Sequence, residues 1–276
     1  MNDSLTSVKK IHSSFGLYRK QLRHIWEEYS FVEYYAPHLH SQIKSGSVSP
    51  FEFVPFLAND QDVRRMSKDK AISMIGQVLH NSIKHRVLLD AIGAFEDYLC
   101  IMVEIVYVDF PNKLKSKQGG LEQERDEKLI NIIVDSLDRD EIILRIIEEK
   151  LRALFYGNPV DFFEKDKAKL EFGSHFKDKY SFLLGEYAEI TARRNIIVHN
   201  SGRVDRKYLR EIKSSHYNLG NKIILDKTYL KRSLCVLEGL AAEATFLIIN
   251  NIYKETVQGK LSLSLQAFRS GVGRLS

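Results

Sequence analysis

A chain of 276 residues, 44% hydrophobic and 28% charged, holds enough apolar material to bury a core, which excludes a fibrous chain and extended disorder. Its formal net charge of +5 tilts the choice of partner toward polyanions without selecting one. The two cysteines, Cys100 and Cys235, stand in apolar stretches with no metal-like spacing, so buried free thiols in a reducing compartment are expected. The start, Met1-Asn2-Asp3-Ser4, has no basic cap followed by an apolar run, and the apolar stretches at 101–108 and 244–249 stop well short of the ~20 residues that span a bilayer. A cytoplasmic protein without a membrane segment is therefore expected.

Over residues 15–35 the apolar positions Tyr18, Leu22, Ile25 and Tyr29, with Trp26 beside them, predict an amphipathic helix that Pro37 should stop. Residues 38–62 hold Ser45-Gly46-Ser47, two prolines and Asn59-Asp60, and read as a loop. The expected division is an N-terminal helical extension and linker over 1–62, a main domain over 63–256, and a Ser/Gly-rich tail over 257–276. Within the main domain, Ser67 is placed to cap a long helix whose stripe runs from Ile72 through Leu79, Val87, Ala94 and Met102 to Ile105, ending at Pro111. A basic loop at 113–120 ending in Gly119-Gly120, a helix near 121–137, and another from Asp140 to Tyr156 follow, the last stopped by Gly157-Asn158-Pro159. Ser174 opens a helix with Phe176, Tyr180, Leu183, Tyr187 and Ile190 on one face, and Gly202 is its terminator. A turn at 218–221, a short run Ile223-Ile224-Leu225 with strand character, and a final helix over 227–253 complete the chain. With no internal repeat and too little strand-like alternation for a sheet, the fold class is all-α, a helical bundle.

The helix from Ser174 carries the polar residues of interest at its end. Projected at 100° per residue, Arg194 falls on the apolar stripe, four after Ile190 and three before Ile197. An unpaired guanidinium buried there costs several kcal/mol, so it must face a wet cleft or meet a carboxylate. Asn195 and His199 are four apart on the flank, positioned to converge with Arg194 on one ligand.

The run RRNIIVHNSG resembles the signature of HEPN-domain ribonucleases: an Arg, a polar residue such as Asn, three to five further residues, then His. Residues 88–100 resemble the first core helix of that family and 234–249 its closing helix, so the likeness covers roughly residues 80 to 250. The resemblance implies a HEPN-like bundle that dimerises with two motifs facing one cleft and cleaves RNA without a metal cofactor. It implies Arg194 and His199 as catalytic residues and Asn195 as their polar support, in a toxin or antiviral effector with a possible antitoxin or regulatory partner. The chemistry suits these side chains, because RNA attacks its own phosphodiester through the 2′-OH and the enzyme needs only to move protons near neutral pH and to offset charge on the phosphorane. A homodimer is expected, with Ile196 projecting opposite the apolar stripe as a second contact surface. The alternative is a non-catalytic RNA-binding or scaffold member of the same fold.

Around the motif, residues 193–213 are rich in cations: Arg193, Arg194, Arg203, Arg206, Lys207, Arg210 and Lys213 against Asp205 and Glu211. Together with Asn200 they form a candidate phosphate-contacting patch, with Tyr208 and Tyr217 as bases' stacking partners; otherwise it is a solvated helix face. Glu189, four before Arg193, is expected to brace it through an i,i+4 pair, whereas Glu96-Asp97 and Glu186 read as solvent-facing charges or ion-pair partners rather than as acid/base pairs. His38-Leu39-His40 lacks further ligands and reads as loop.

Overall fold

The computed structural model describes residues 2–54, 56, 63–114, 138–154, 157–213 and 216–272, and its architecture is all-α. The first helix, α1 (Asn2–Ser45), is longer than its sequence suggests and runs straight through Pro37. The proline ring removes one N–H and crowds the carbonyl four residues back. Burial on both sides of it offsets that cost: Val8, Ile11, Phe15, Tyr18, Leu22, Ile25 and Tyr29 are buried upstream, and Ile43 packs with Met66 and Ala71 downstream.

After β1 (Glu52–Phe53), paired antiparallel to β2 (Arg64–Arg65), comes α2 (Lys68–Gln77), capped by Ser67 as expected. A π turn at Val78–Ser82 separates it from α3 (Ile83–Asp109), so the single long helix read from the sequence is two with a widened turn between. Pro111 follows the end of α3 and opens a 3-10 turn, Pro111–Leu114. The expected helix near 121–137 and the Gly119-Gly120 loop lie outside the described residues. Next come α4 (Arg139–Leu154), the short α5 (Asp161–Glu164), α6 (His175–Asn200), α7 (Arg206–Glu211), α8 (Lys227–Leu247) with a π turn at Ile248–Ile252, and α9 (Gly259–Val272).

The centre is α3 against α8, joined by the buried hydrogen bond between the Tyr98 hydroxyl and Thr245 Oγ1 at 2.6 Å. On one flank α1 lies antiparallel to α3: Phe15 meets Tyr98, Tyr18 meets Phe95, and Glu28 meets Arg86. On the other, α6 packs against α3 through an aromatic cluster in which Phe95, Phe163 of α5 and Tyr187 touch one another, and it meets α8 through Glu186 and Arg232. The N-terminal helix therefore shares one core with the segments after residue 63 rather than standing apart as an extension.

The expected tail is a helix as well. On α9, Leu261 and Leu265 are buried, Phe268 lies over Gly239 of α8, and Arg269 holds the buried Glu243 through two hydrogen bonds of 2.9 and 3.0 Å. The i, i+4, i+7 spacing of those three apolar residues outweighs the Ser and Gly content between them. Three smaller expectations also change. Cys235 is exposed and Cys100 half-buried, both free thiols; His38-Leu39-His40 lies within α1; and 223–225 forms no strand, the only pairing nearby among the described residues being an isolated bridge between Arg203 and Lys222. The segment Lys227–Ile252 is long and apolar enough to cross a membrane, and 78% of its most apolar window is buried inside the protein.

Candidate functional site

The end of α6 is built by its own terminator. Ser201 and Gly202 both take positive φ, 51° and 74°, and the Gly202 N–H returns to the Ile196 carbonyl at 2.9 Å. A side chain at Gly202 would meet the His85 ring at 3.5 Å, so the position favours glycine by conformation more than by space. Asn200 closes the turn by donating from Nδ2 to the Arg203 carbonyl at 2.6 Å, which makes it a capping residue rather than a free phosphate ligand.

Arg194 meets a carboxylate. Its Nη2 donates to Glu96 Oε2 on α3 at 2.7 Å, and Nη1 donates to Asn195 Oδ1 at 3.1 Å. The pair is half-buried, with side-chain exposures of 29% for Arg194 and 20% for Glu96. Burial pushes the Glu96 carboxyl above its ordinary range, against the opposing pull of the guanidinium. Glu96 thus orients the arginine that the motif supplies. Of the two readings the sequence left for Glu96, solvent-facing charge or ion-pair partner, the structure has the second, with a partner 98 residues away that nothing local identifies.

His199, one turn beyond Asn195, is exposed, and its imidazole makes no hydrogen bond among the described residues. The fold therefore joins Arg194 to Asn195 directly and leaves the imidazole free at the helix end. Asn195 also reaches a groove of about 670 Å³, whose walls include Gly157, Thr191, Lys207 and Glu211.

The apolar stripe itself is rotated from its expected phase. Within α6 the backbone departs from helical geometry at Tyr180 (φ −131°, ψ 21°), and the buried line continues through Ile190, Arg193 and Ile196 instead of Ile190, Arg194 and Ile197. Ile196 is 3% exposed and cannot offer the second contact surface expected of it; Val198, 54% exposed, is the residue turned outward beside His199. Arg193, at 8% exposure, is interior and not an RNA contact. Its guanidinium lies 4.0 Å from the Tyr229 ring centroid, donates through Nη1 to the Ile224 carbonyl at 3.0 Å, and donates through Nε to Glu189. Desolvation is met here by a carboxylate, a carbonyl and a ring face together.

Glu189 braces Arg193 as its spacing predicts, and it does more: it also accepts the hydroxyls of Tyr208, at 3.2 Å, and Tyr229, at 2.6 Å. Tyr208 is 2% exposed and therefore unavailable to stack on a base. Tyr217 is half-buried, accepts the Ile224 N–H at 3.2 Å and stacks on His216 at 4.6 Å. Glu186 is an ion-pair partner, holding Arg232 of α8 through two hydrogen bonds of 2.8 and 2.9 Å.

Cations that remain at the surface are Arg203, Arg206, Lys207, Arg210 and Lys213. Arg203 donates to the Gly220 carbonyl at 3.2 Å, and Lys207 stands 4.0 Å from Glu211. Asp205 caps α7 by accepting the Tyr208 N–H at 2.7 Å, which presents Arg206, Lys207 and Arg210 to solvent directly after the turn that ends α6. Among the described residues no group of three or more His, Cys, Asp or Glu is placed to hold a metal ion. No protein-family model matches this chain, and comparison with curated proteins and with solved structures yields no match.

Proposed function

We propose that the chain is a metal-independent endoribonuclease of the HEPN type, acting on single-stranded or loop RNA as a defence or toxin effector. The observation that carries this reading is the exposed His199 imidazole at the end of α6, one turn from a guanidinium held in place by Glu96 and Asn195. Neutral His199 takes the proton of the RNA 2′-OH as that oxygen attacks phosphorus. The P–O5′ bond breaks, the 5′ oxygen takes a proton from water or from a second imidazolium, and a 2′,3′-cyclic phosphate remains. Arg194 has five N–H donors, of which Glu96 and Asn195 take two, so the others are available to the phosphorane oxygens. Arg206, Lys207 and Arg210 draw the backbone of the RNA toward the site. A homodimer places two such sites together, with Val198 in the contact.

The second reading, a non-catalytic RNA-binding module, draws on the same ion pair, because Glu96 already offsets much of the charge that a phosphorane would use. One assay separates the two. Labelled mixed RNA incubated with the protein in EDTA is expected to be cut to products ending in cyclic phosphate. His199→Ala is expected to lose ~10²–10⁴ of that rate with little change in melting temperature, since the side chain is exposed. Binding without cutting by the wild-type protein supports the second reading, and neither binding nor cutting defeats both.

A further inference from the structure

A trough formed by α1, α8 and α9 uses none of the residues at the end of α6. Its larger hollow, about 640 Å³, is floored by the buried Leu22 and Leu234 and walled by Trp26 and by Leu17, which is 67% exposed. A second hollow of about 580 Å³ shares His12, Ser13 and Lys260 with the first and carries the trough on to Leu5. From Leu5 to Trp26 the α1 axis rises ~30 Å, the length of a helix of about 20 residues.

The rim carries a net positive charge. Lys9, Lys20, Lys231 and Lys260 border the two hollows, and none has an acidic partner among the described residues. Two acids line the hollows: Glu238 is occupied by Arg19 at 2.9 Å and by the Ser264 hydroxyl at 2.8 Å, and Glu255 stands exposed in the second hollow, outnumbered by the four lysines.

We propose that this trough docks an acidic amphipathic helix of a partner protein, whose apolar stripe covers Leu17, Leu22, Leu234 and Trp26 while its carboxylates meet the four lysines. Charge complementarity and length together select that occupant. Single-stranded RNA would satisfy the lysines and leave the apolar floor uncovered. A membrane surface is too flat to reach a floor set below the rim. Cys235, exposed in the trough wall, reports occupancy.

The test titrates the full chain with a fluorescent peptide of about 20 residues bearing Leu on one helical stripe and Glu elsewhere. Beside it run a scrambled peptide of equal composition, phosphatidylserine vesicles and a uridine oligonucleotide. Saturable, salt-weakened binding of the patterned peptide is expected, with slowed alkylation of Cys235, but not Cys100, by N-ethylmaleimide. Paired Lys20→Glu and Lys231→Glu substitutions should weaken it about tenfold or more, and Leu17→Asp should weaken it independently, with helicity unchanged because all three side chains are exposed. Equal binding of the scrambled peptide, no binding at all, affinity unmoved by these substitutions, or protection of Cys235 by vesicles or oligonucleotide in place of the peptide would overturn the proposal. None of these outcomes depends on whether the chain cuts RNA.

Discussion

Glu96 and Arg194 lie 98 residues apart in sequence and 2.7 Å apart in space, and their energetics follow from partial burial. Removing one member of a buried pair costs more than the pair contributes, because the survivor keeps its desolvation penalty and loses its compensation. Arg194→Ala should therefore destabilise the fold by about 1–3 kcal/mol, less than a fully buried pair would, since both ends keep some solvent. The effect has a pH signature. A carboxyl whose folded-state pKa is raised contributes stability that is fully present below its unfolded pKa and is lost as pH rises through the folded one. Burial already raises Glu96, and loss of the guanidinium raises it further. The deficit of Arg194→Ala relative to wild type should thus be small at about pH 4 and open as pH rises toward 8. Urea unfolding of both proteins across that range checks it, and a deficit that grows on acidification would mean that Glu96 isn't the partner that matters.

At the scale of elements, the docking of α9 depends on one missing side chain. An added Cβ at Gly239 would sit 1.9 Å from the Phe268 ring, so the helix–helix contact exists only because position 239 is glycine. In an isolated helix Gly→Ala is worth up to ~1 kcal/mol in favour of alanine. Here overpacking should reverse the sign, and Gly239→Ala should destabilise by about 1–3 kcal/mol. In a Phe268→Ala background the clash is gone, and the same substitution should become neutral or stabilising. A double-mutant cycle by thermal unfolding reads the sign change; additive effects would show that α9 does not rest on Gly239 in solution.

At the scale of the whole molecule, α1 is part of the core rather than an appendage. Its buried side chains from Val8 to Tyr29 represent on the order of 10 kcal/mol of apolar burial, comparable to the net stability of an ordinary domain. A chain beginning at Gly46 should accordingly lose cooperative unfolding and bind hydrophobic dyes, with α3 and α8 left uncovered. A truncated protein that keeps a single sharp transition in circular dichroism would restore the view of residues 1–62 as a separate extension.

What the sequence determined by itself is whatever short-range periodicity encodes. The stripe of α1 from Tyr18 to Tyr29, the cap at Ser67, the aromatic face of α6 from Phe176 to Ile190, its stop at Gly202 and the Glu189–Arg193 brace all follow from neighbours three to seven residues apart, and the structure has each of them. Tertiary structure decided the rest, because the deciding partners are remote in the chain. Pro37 stays helical because Ile43 finds a cluster beyond it, and residues 259–272 form a helix because α8 offers a seat for Phe268. Of the two adjacent arginines, the one buried is Arg193, since Tyr229 and the Ile224 carbonyl cover that side of α6, while Arg194 goes to Glu96. A helical wheel assigns angles on one helix; which angles are inside is set by the helices and loops packed around it.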